Sequence, residues 1–183
     1  YERTRLILWE MADMLSLDLV DKGVVTNQIV LTVGYDKESL ADGHYTGEVV
    51  CDHYGRKIPK HAHGTQNLGR HTSSTRKIID ATMALFDRII DKTLLARRLN
   101  LTACNVIREE DIPEVESYEQ ISLFDMAEAA NADNNAEEKE RALQEAMILI
   151  KHKYGKNAIL KGANYTEGAT ARERNRSIGG HKA

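Results

Sequence analysis

Gly64-Thr65-Gln66-Asn67-Leu68-Gly69-Arg70-His71-Thr72-Ser73-Ser74-Thr75-Arg76 changes character part-way along, and that change decides the fold. Thr65–Thr72 reads as an extended segment, with Gly64 and Gly69 arguing against an undisturbed interior strand. Ser73 or Ser74 then offers a side-chain oxygen for a helix start. Ile78, Ala81, Thr82, Leu85 and Ile89 recur on one face of the helix that follows, which runs to about Ile90. A strand passing directly into an amphipathic helix places that helix against the strand's own sheet.

The same two periods recur on either side. Upstream, Leu8, Met11, Ala12, Leu15 and Leu19 form one stripe of a helix over residues 3–22, and Gly23 stands at its C-terminal cap. Thr26–Tyr35 then switches to period two, with Ile29, Leu31 and Val33 on one side and Gln28, Val30 and Thr32 on the other. Asp36–Gly47 is polar and glycine-punctuated, a loop, and Val49 and Val50 begin a short strand. Downstream, Arg97–Ile107 alternates again, with Leu99, Leu101 and Ala103 opposite Asn100, Thr102 and Cys104. The order helix, strand, strand, helix, strand predicts an α+β layer: a mixed sheet with two helices on one face and solvent on the other. Pro113 and the acidic run 109–119 mark a linker. A C-terminal helix near residues 137–153 carries a stripe of Leu143, Ala146, Met147, Ile150 and Tyr154, and a basic, glycine-rich tail follows Gly155.

Charge is segregated along the 183 residues. Residues 1–53 hold 4 basic and 10 acidic side chains, 54–108 hold 11 and 3, 109–145 hold 2 and 13, and 146–183 hold 8 and 2. A basic middle segment points to a polyanionic partner, against the plainer reading of a solvated basic face. No run is long enough for a membrane span and no signal peptide is visible. The chain opens at Tyr1 without a methionine, so it is read as a piece of a longer protein. Cys51 and Cys104 are too few for a disulfide framework and fit reduced thiols in a cytoplasm. Cys51, His53, His61 and His63 are zinc-type ligands at spacings that match no standard site, and a polar strand explains them better. The glycines of 162–168 lack the Lys-Ser/Thr ending of a phosphate loop. Asp80 and Asp87 read as solvated, and no nucleophile triad can be drawn.

The Gly64–Arg76 segment, followed by a helix and then Arg97-Arg98-Leu99-Asn100-Leu101, resembles the C-terminal "little finger" of Y-family DNA polymerases. The likeness is to the UmuC-like branch of Gram-positive bacteria, and Lys153-Tyr154-Gly155-Lys156-Asn157 is similar to that branch's C-terminal extension. It implies a four-stranded sheet with two helices on one face and the open face along the DNA major groove. The family domain begins with a strand, which this chain lacks at its start. It implies DNA contacts at the strand-to-helix turn, through Arg70, Thr72, Ser73, Ser74 and Arg76, and further DNA contacts through Lys60 and Arg98. Hydroxyls and N–H groups at a helix start suit a phosphate, and arginines neutralise it. Where many relatives carry an outward arginine on the last strand, this chain has Thr102. The palm that binds Mg2+ for nucleotidyl transfer has no counterpart here, so the resemblance implies a part with neither catalytic residues nor cofactor of its own.

Gln120-Ile121-Ser122-Leu123-Phe124 resembles the peptide with which bacterial polymerases hold the sliding clamp, departing from its usual form at Ile121. Leu123 and Phe124 suit an apolar pocket, Ile121 supports them, and Gln120 sets register. The expected division is therefore a DNA-binding little finger over 1–108 that lacks its first strand, an acidic linker with the clamp motif over 109–133, and a helix with a basic tail over 134–183. The implied role is translesion synthesis in bacterial DNA-damage tolerance, including the SOS response, at the nucleoid of the cytoplasm. The implied partners are damaged template or primer-template DNA and the sliding clamp. The rival is a protein-interaction adaptor in which the basic face has no nucleic-acid partner; a weaker third is a metal-dependent hydrolase built on the histidines.

Overall fold

The computed structural model describes residues 1–41, 43–112, 125–178 and 181–182, with the backbone alone for 125–135, 178 and 181–182. Helix α1 (Glu2–Asp21) leads into β1 (Val24–Tyr35), and a short helical turn over Lys37–Leu40 opens the loop that follows. The hairpin β2 (Val49–Cys51) and β3 (Lys57–Pro59) precedes the long β4 (Ala62–Thr72). Helix α2 (Thr75–Ile89), β5 (Ala96–Cys104) and β6 (Ile107–Arg108) complete the basic segment. After it come α3 (Asp125–Tyr154), α4 (Ala171–Arg174), and the paired β7 (Ser177–Ile178) and β8 (His181–Lys182). The architecture is α+β, with an antiparallel sheet and, among the described residues, four α-helices.

β1 is the central strand, with β4 on one side and β5 then β6 on the other. Its alternation is satisfied on one face only: Ile29, Leu31 and Val33 are fully buried and pack with Leu8 of α1 and Leu85 and Phe86 of α2. Leu99, Leu101 and Ala103 join from β5, as their period predicts. The two glycines of β4 have separate explanations. A Cβ on Gly64 would lie 2.8 Å from Leu85 Cδ1 and 2.9 Å from Ile89 Cγ2, so α2 crosses the strand very closely there. Gly69 has φ of 79° and sits in a bulge, where pairing jumps from Gln28 opposite Asn67 to Thr26 opposite Thr72.

Both helix ends and faces differ instructively from the sequence pattern. Ser74 is the cap of α2, its hydroxyl accepting from the Lys77 N–H at 3.3 Å. α1 buries Leu8, Ala12 and Leu19 as expected, but also Glu10 and Asp13, because the C-terminal tail lies along its other side, and Ser16, against Thr75 at the start of α2. The Glu10 carboxylate is fully buried: it accepts from the Thr170 and Ala171 N–H groups and the Thr170 hydroxyl at 3.0–3.1 Å and pairs with Arg174 at 3.0 Å. Asp13 pairs with Lys161 at 2.5 Å. α3 starts at Asp125, well ahead of Glu137, because its alanine-rich first half has high helix propensity.

α3 docks through a face rotated from the expected stripe. Met147 of that stripe is buried, beside Gln144, whereas Leu143 and Tyr154 are 56% and 67% exposed. The docked side carries Glu137, Glu140, Arg141 and Gln144, so polar pairing rather than apolar burial sets its rotation.

Glu10→Ala should release the tail, because it strands Arg174 and the buried N–H groups of the Thr170 turn. Removing one member of a buried, hydrogen-bonded ion pair costs about 3–5 kcal/mol. Chemical denaturation should show that loss, and limited proteolysis should open residues 155–178 first. Unchanged stability and unchanged proteolysis would contradict it.

Candidate nucleic-acid interface

One-sided burial of β1 leaves the other sheet face open, and register fixes what it displays. Thr32 lies between His63 of β4 and Asn100 of β5, Val30 between Thr65 and Thr102, and Gln28 between Asn67 and Cys104. The Thr32 hydroxyl and His63 Nδ1 are 2.9 Å apart, which confirms that those side chains share the open face. His61 and His63 meet edge to face at 6.5 Å. Arg98 stands opposite Gly34 at the end of this surface, with its Cβ 3.5 Å from where a Cβ on Gly34 would lie. The surface is thus hydroxyl, amide, imidazole and guanidinium, types that meet phosphate and sugar oxygens as donors.

The β2–β3 hairpin stands at the Arg98 end and makes a cleft with it, lined by Gly34, Asp52, His53, Tyr54, Arg56, Arg97 and Arg98. Tyr54 at its tip is 78% exposed, with the Arg56 guanidinium 4.9 Å from its ring centre and His53 edge-on at 5.4 Å. Asp52 organises the tip. Its Oδ1 accepts from the Tyr54 and Arg56 N–H groups at 2.9 Å, and its Oδ2 pairs with Arg56 at 2.6 Å. The Arg56 side-chain hydrogen bond, with the backbone donors behind it, holds the Asp52 carboxyl below its ordinary value of 3.8. At the neighbouring loop, the Glu38 N–H, aided by Arg97, lowers Asp36.

The strand-to-helix turn has a different environment. Thr72, Ser73, Ser74 and Thr75 are all buried. α3 covers them: the Glu140 carboxylate accepts from the Ser74 hydroxyl at 2.6 Å and from the Arg76 N–H at 2.9 Å. Glu137 pairs with Arg70 at 2.5 Å and also with Lys77. Arg141 donates to the Ser73 hydroxyl at 3.2 Å, and Gln144 donates to the Ser73 carbonyl and the Thr75 hydroxyl at 2.9 Å each. Ser16 of α1 lies 2.7 Å from that same Thr75 oxygen, so three helices meet at one hydroxyl.

Arg98 is therefore on the open face, while Arg97 turns aside to Asp36 at 3.1 Å. Lys60, between β3 and β4, pairs with Glu48 at 2.6 Å in solvent. Arg70, Thr72, Ser73, Ser74 and Arg76 come together at the turn, under α3. Gln120, Ile121, Leu123 and Phe124 lie outside the described residues. Among the described residues no three His, Cys, Asp or Glu side chains are grouped to hold a metal ion, and no helix is long and apolar enough to cross a membrane. Of the hairpin only the strand at Val49 and Val50 was read from sequence; β3 and Tyr54 were missed because three-residue strands carry no usable period. The docked acids of α3 had a signal: a strongly acidic segment following a strongly basic one.

Residues 1–123 match the family described as the impB/mucB/samB family C-terminal domain. The chain belongs to that family. Its helix-strand-strand-helix-strand core and Gly64–Arg76 turn are thus those of a Y-family polymerase C-terminal domain, as the resemblance implied. Over all 183 residues the chain is 28% identical to the putative UV-damage repair protein UvrX of Bacillus subtilis, of which it covers 35%. Over 125 residues, 68% of the chain, it is 28% identical to DNA polymerase IV 2 of Halalkalibacterium halodurans, covering 26% of that protein. The chain spans about a third or less of these curated relatives. No solved structure matches it.

The depressed Asp52 carboxyl gives this impB/mucB/samB-family domain an acid-sensitive hairpin. A lowered folded value stabilises the fold above the ordinary 3.8 and loses that contribution as pH falls through the folded value. Amide NMR of Tyr54 and Arg56 should therefore hold its folded shifts down to below 3.8 and change only beneath it. A midpoint at or above 3.8 would contradict the pairing.

Proposed function

We propose that this chain is the DNA-gripping, clamp-tethered C-terminal part of a translesion polymerase, acting in bacterial DNA-damage tolerance. The observation that carries this is the open sheet face, largely polar across β1, β4 and β5, of which β4 and β5 belong to a segment with 11 basic and 3 acidic side chains. The family supports it, as do the names of relatives concerned with UV-damage repair and DNA synthesis.

In this reading the face lies along the duplex and holds backbone rather than bases. Arg98 and Lys60 neutralise phosphates. His63, Thr65, Asn67, Asn100 and Thr102 donate to or accept from the sugar-phosphate chain without regard to sequence. The strand-to-helix turn, with Arg70, Thr72, Ser73, Ser74 and Arg76, is a further phosphate contact. Nucleotidyl transfer and its metal ions belong to another part of the parent, so this part incorporates no nucleotide by itself. Gln120, Ile121, Leu123 and Phe124 tether the parent to the sliding clamp, with Leu123 and Phe124 as anchors.

Fluorescence anisotropy with a primer-template duplex tests the DNA half. Affinity should fall steeply with salt, and Arg98→Glu and Lys60→Glu should weaken binding about equally for unrelated sequences. Each lost phosphate contact should reduce the log–log salt slope by about 1. Salt-independent binding, or none, would favour the adaptor reading instead. The clamp half is tested by calorimetric titration against a bacterial sliding clamp. Burying two such anchors is worth roughly 1.5–3 kcal/mol each, so Leu123→Ala with Phe124→Ala should weaken binding by at least about a hundredfold. Equal affinity would remove the clamp reading and leave the DNA reading standing.

A further inference from the structure

The contacts that α3 makes at the strand-to-helix turn have the chemistry of a bound phosphate. Glu140 presents an anion to the first turn of a 15-residue helix, where backbone N–H groups point outward and the helix dipole favours negative charge. It takes the Ser74 hydroxyl as a second donor. Glu137 takes the side chains of Arg70 and Lys77, the cations that flank the turn on strand and helix. Two carboxylates one helical turn apart thus use the donors and cations that a phosphodiester would need, and a phosphate cannot use them at the same time.

The helix that brings them is held in an unusual way. It turns its charged side to the domain and leaves Leu143 and Leu149 in solvent. Its inner contacts are polar, save chiefly for Met147. The Glu137 pairs with Arg70 and Lys77 are partly exposed, and pairs of this kind are exchanged for contacts to a polyanion at small net cost, whereas a buried apolar face is not.

We propose that α3 is a releasable latch, whose Glu137 and Glu140 stand in for DNA phosphates at the Arg70–Lys77 turn and so lower the chain's affinity for DNA until DNA displaces them. The proposal rests on the DNA-binding reading above and adds regulation to it. The latched chain grips through the open sheet face alone; the released chain adds the turn. Linkage makes the competition reciprocal: the factor by which docked α3 weakens DNA binding is the factor by which DNA weakens docking. The apparent dissociation constant for the full footprint is raised by the inverse of the released fraction.

The test compares three full chains on one primer-template duplex by fluorescence anisotropy: the wild type, Glu137→Ala with Glu140→Ala, and Glu138→Ala with Glu145→Ala. The last pair removes the same charge from the same helix but keeps Glu137 and Glu140, the two carboxylates at the turn, in place; Glu145 touches Arg141 rather than the turn's own cations. The first variant should bind at least about fivefold tighter than this control. Hydrogen exchange on the wild type alone supplies a second readout, with the amides of 140–151 exchanging faster once DNA is added. If the wild type binds DNA in a salt-dependent way, but the two variants match and α3 keeps its protection, the latch is wrong and the DNA reading survives. If none of the three chains binds DNA, both are wrong.

Discussion

Everything in this domain depends on the one-sided burial of β1. Ile29, Leu31 and Val33 are fully buried, and the residues between them, Gln28, Val30 and Thr32, face away from both helices. A one-residue slip in register would exchange these sets and put three large aliphatic side chains in water, so the hydrophobic term fixes register strongly. With register fixed, the composition of the outer face follows from β4 and β5 without further choice. Asn100 and Thr102 on one flank, and His63, Thr65 and Asn67 on the other, are exposed because the residues alternating with them turn to the helix layer, and Arg98 continues the first flank. Function in this reading is the remainder left by packing.

The helix layer is crowded in a way that explains its less regular features. α2 lies so close to β4 that a glycine is needed at position 64, and β4 must bulge at Gly69 before it turns into α2. That bulge brings Thr72 to the helix start, where its hydroxyl accepts from the Ser74 N–H at 3.0 Å. The start of α2 is therefore rigid and rich in donors before α3 reaches it. On the far side of α1, the buried Glu10 collects the tail as Glu140 collects the turn. In both places a carboxylate from one helix meets the N–H groups at the start of another. The C-terminal region is thus bound to the helix layer by charge and hydrogen bonds, beside the buried Met147 and Ala171.

The long periodic elements were legible in the sequence. Ile29–Val33, the stripe from Ile78 to Ile89 and the alternation of Leu99 and Leu101 all packed as their spacing required, since each buries one face against a single partner layer. Elements with two partners were read less well. α1 faces the sheet on one side and the tail on the other, so Glu10 and Asp13 broke its pattern while being as buried as Leu19. The stripe read for α3 shared Met147 with the docked face but was rotated from it, because periodicity assumes apolar docking and most of its docking contacts are polar. Of the candidate site, Arg98 and the open-face residues followed from alternation. That Ser73 and Ser74 lie under Arg141 and Gln144 depends on tertiary contacts across some 70 residues, which no local pattern encodes.

The claim that the open sheet face is the DNA face is tested most directly by NMR chemical-shift mapping of the whole chain during titration with duplex DNA. The account predicts that the open-face signals of His63, Thr65, Asn67, Arg98, Asn100 and Thr102 shift together and saturably, while those of the tail around Thr170 stay put. Shifts confined to α1 and the tail, with the open face silent, would contradict it.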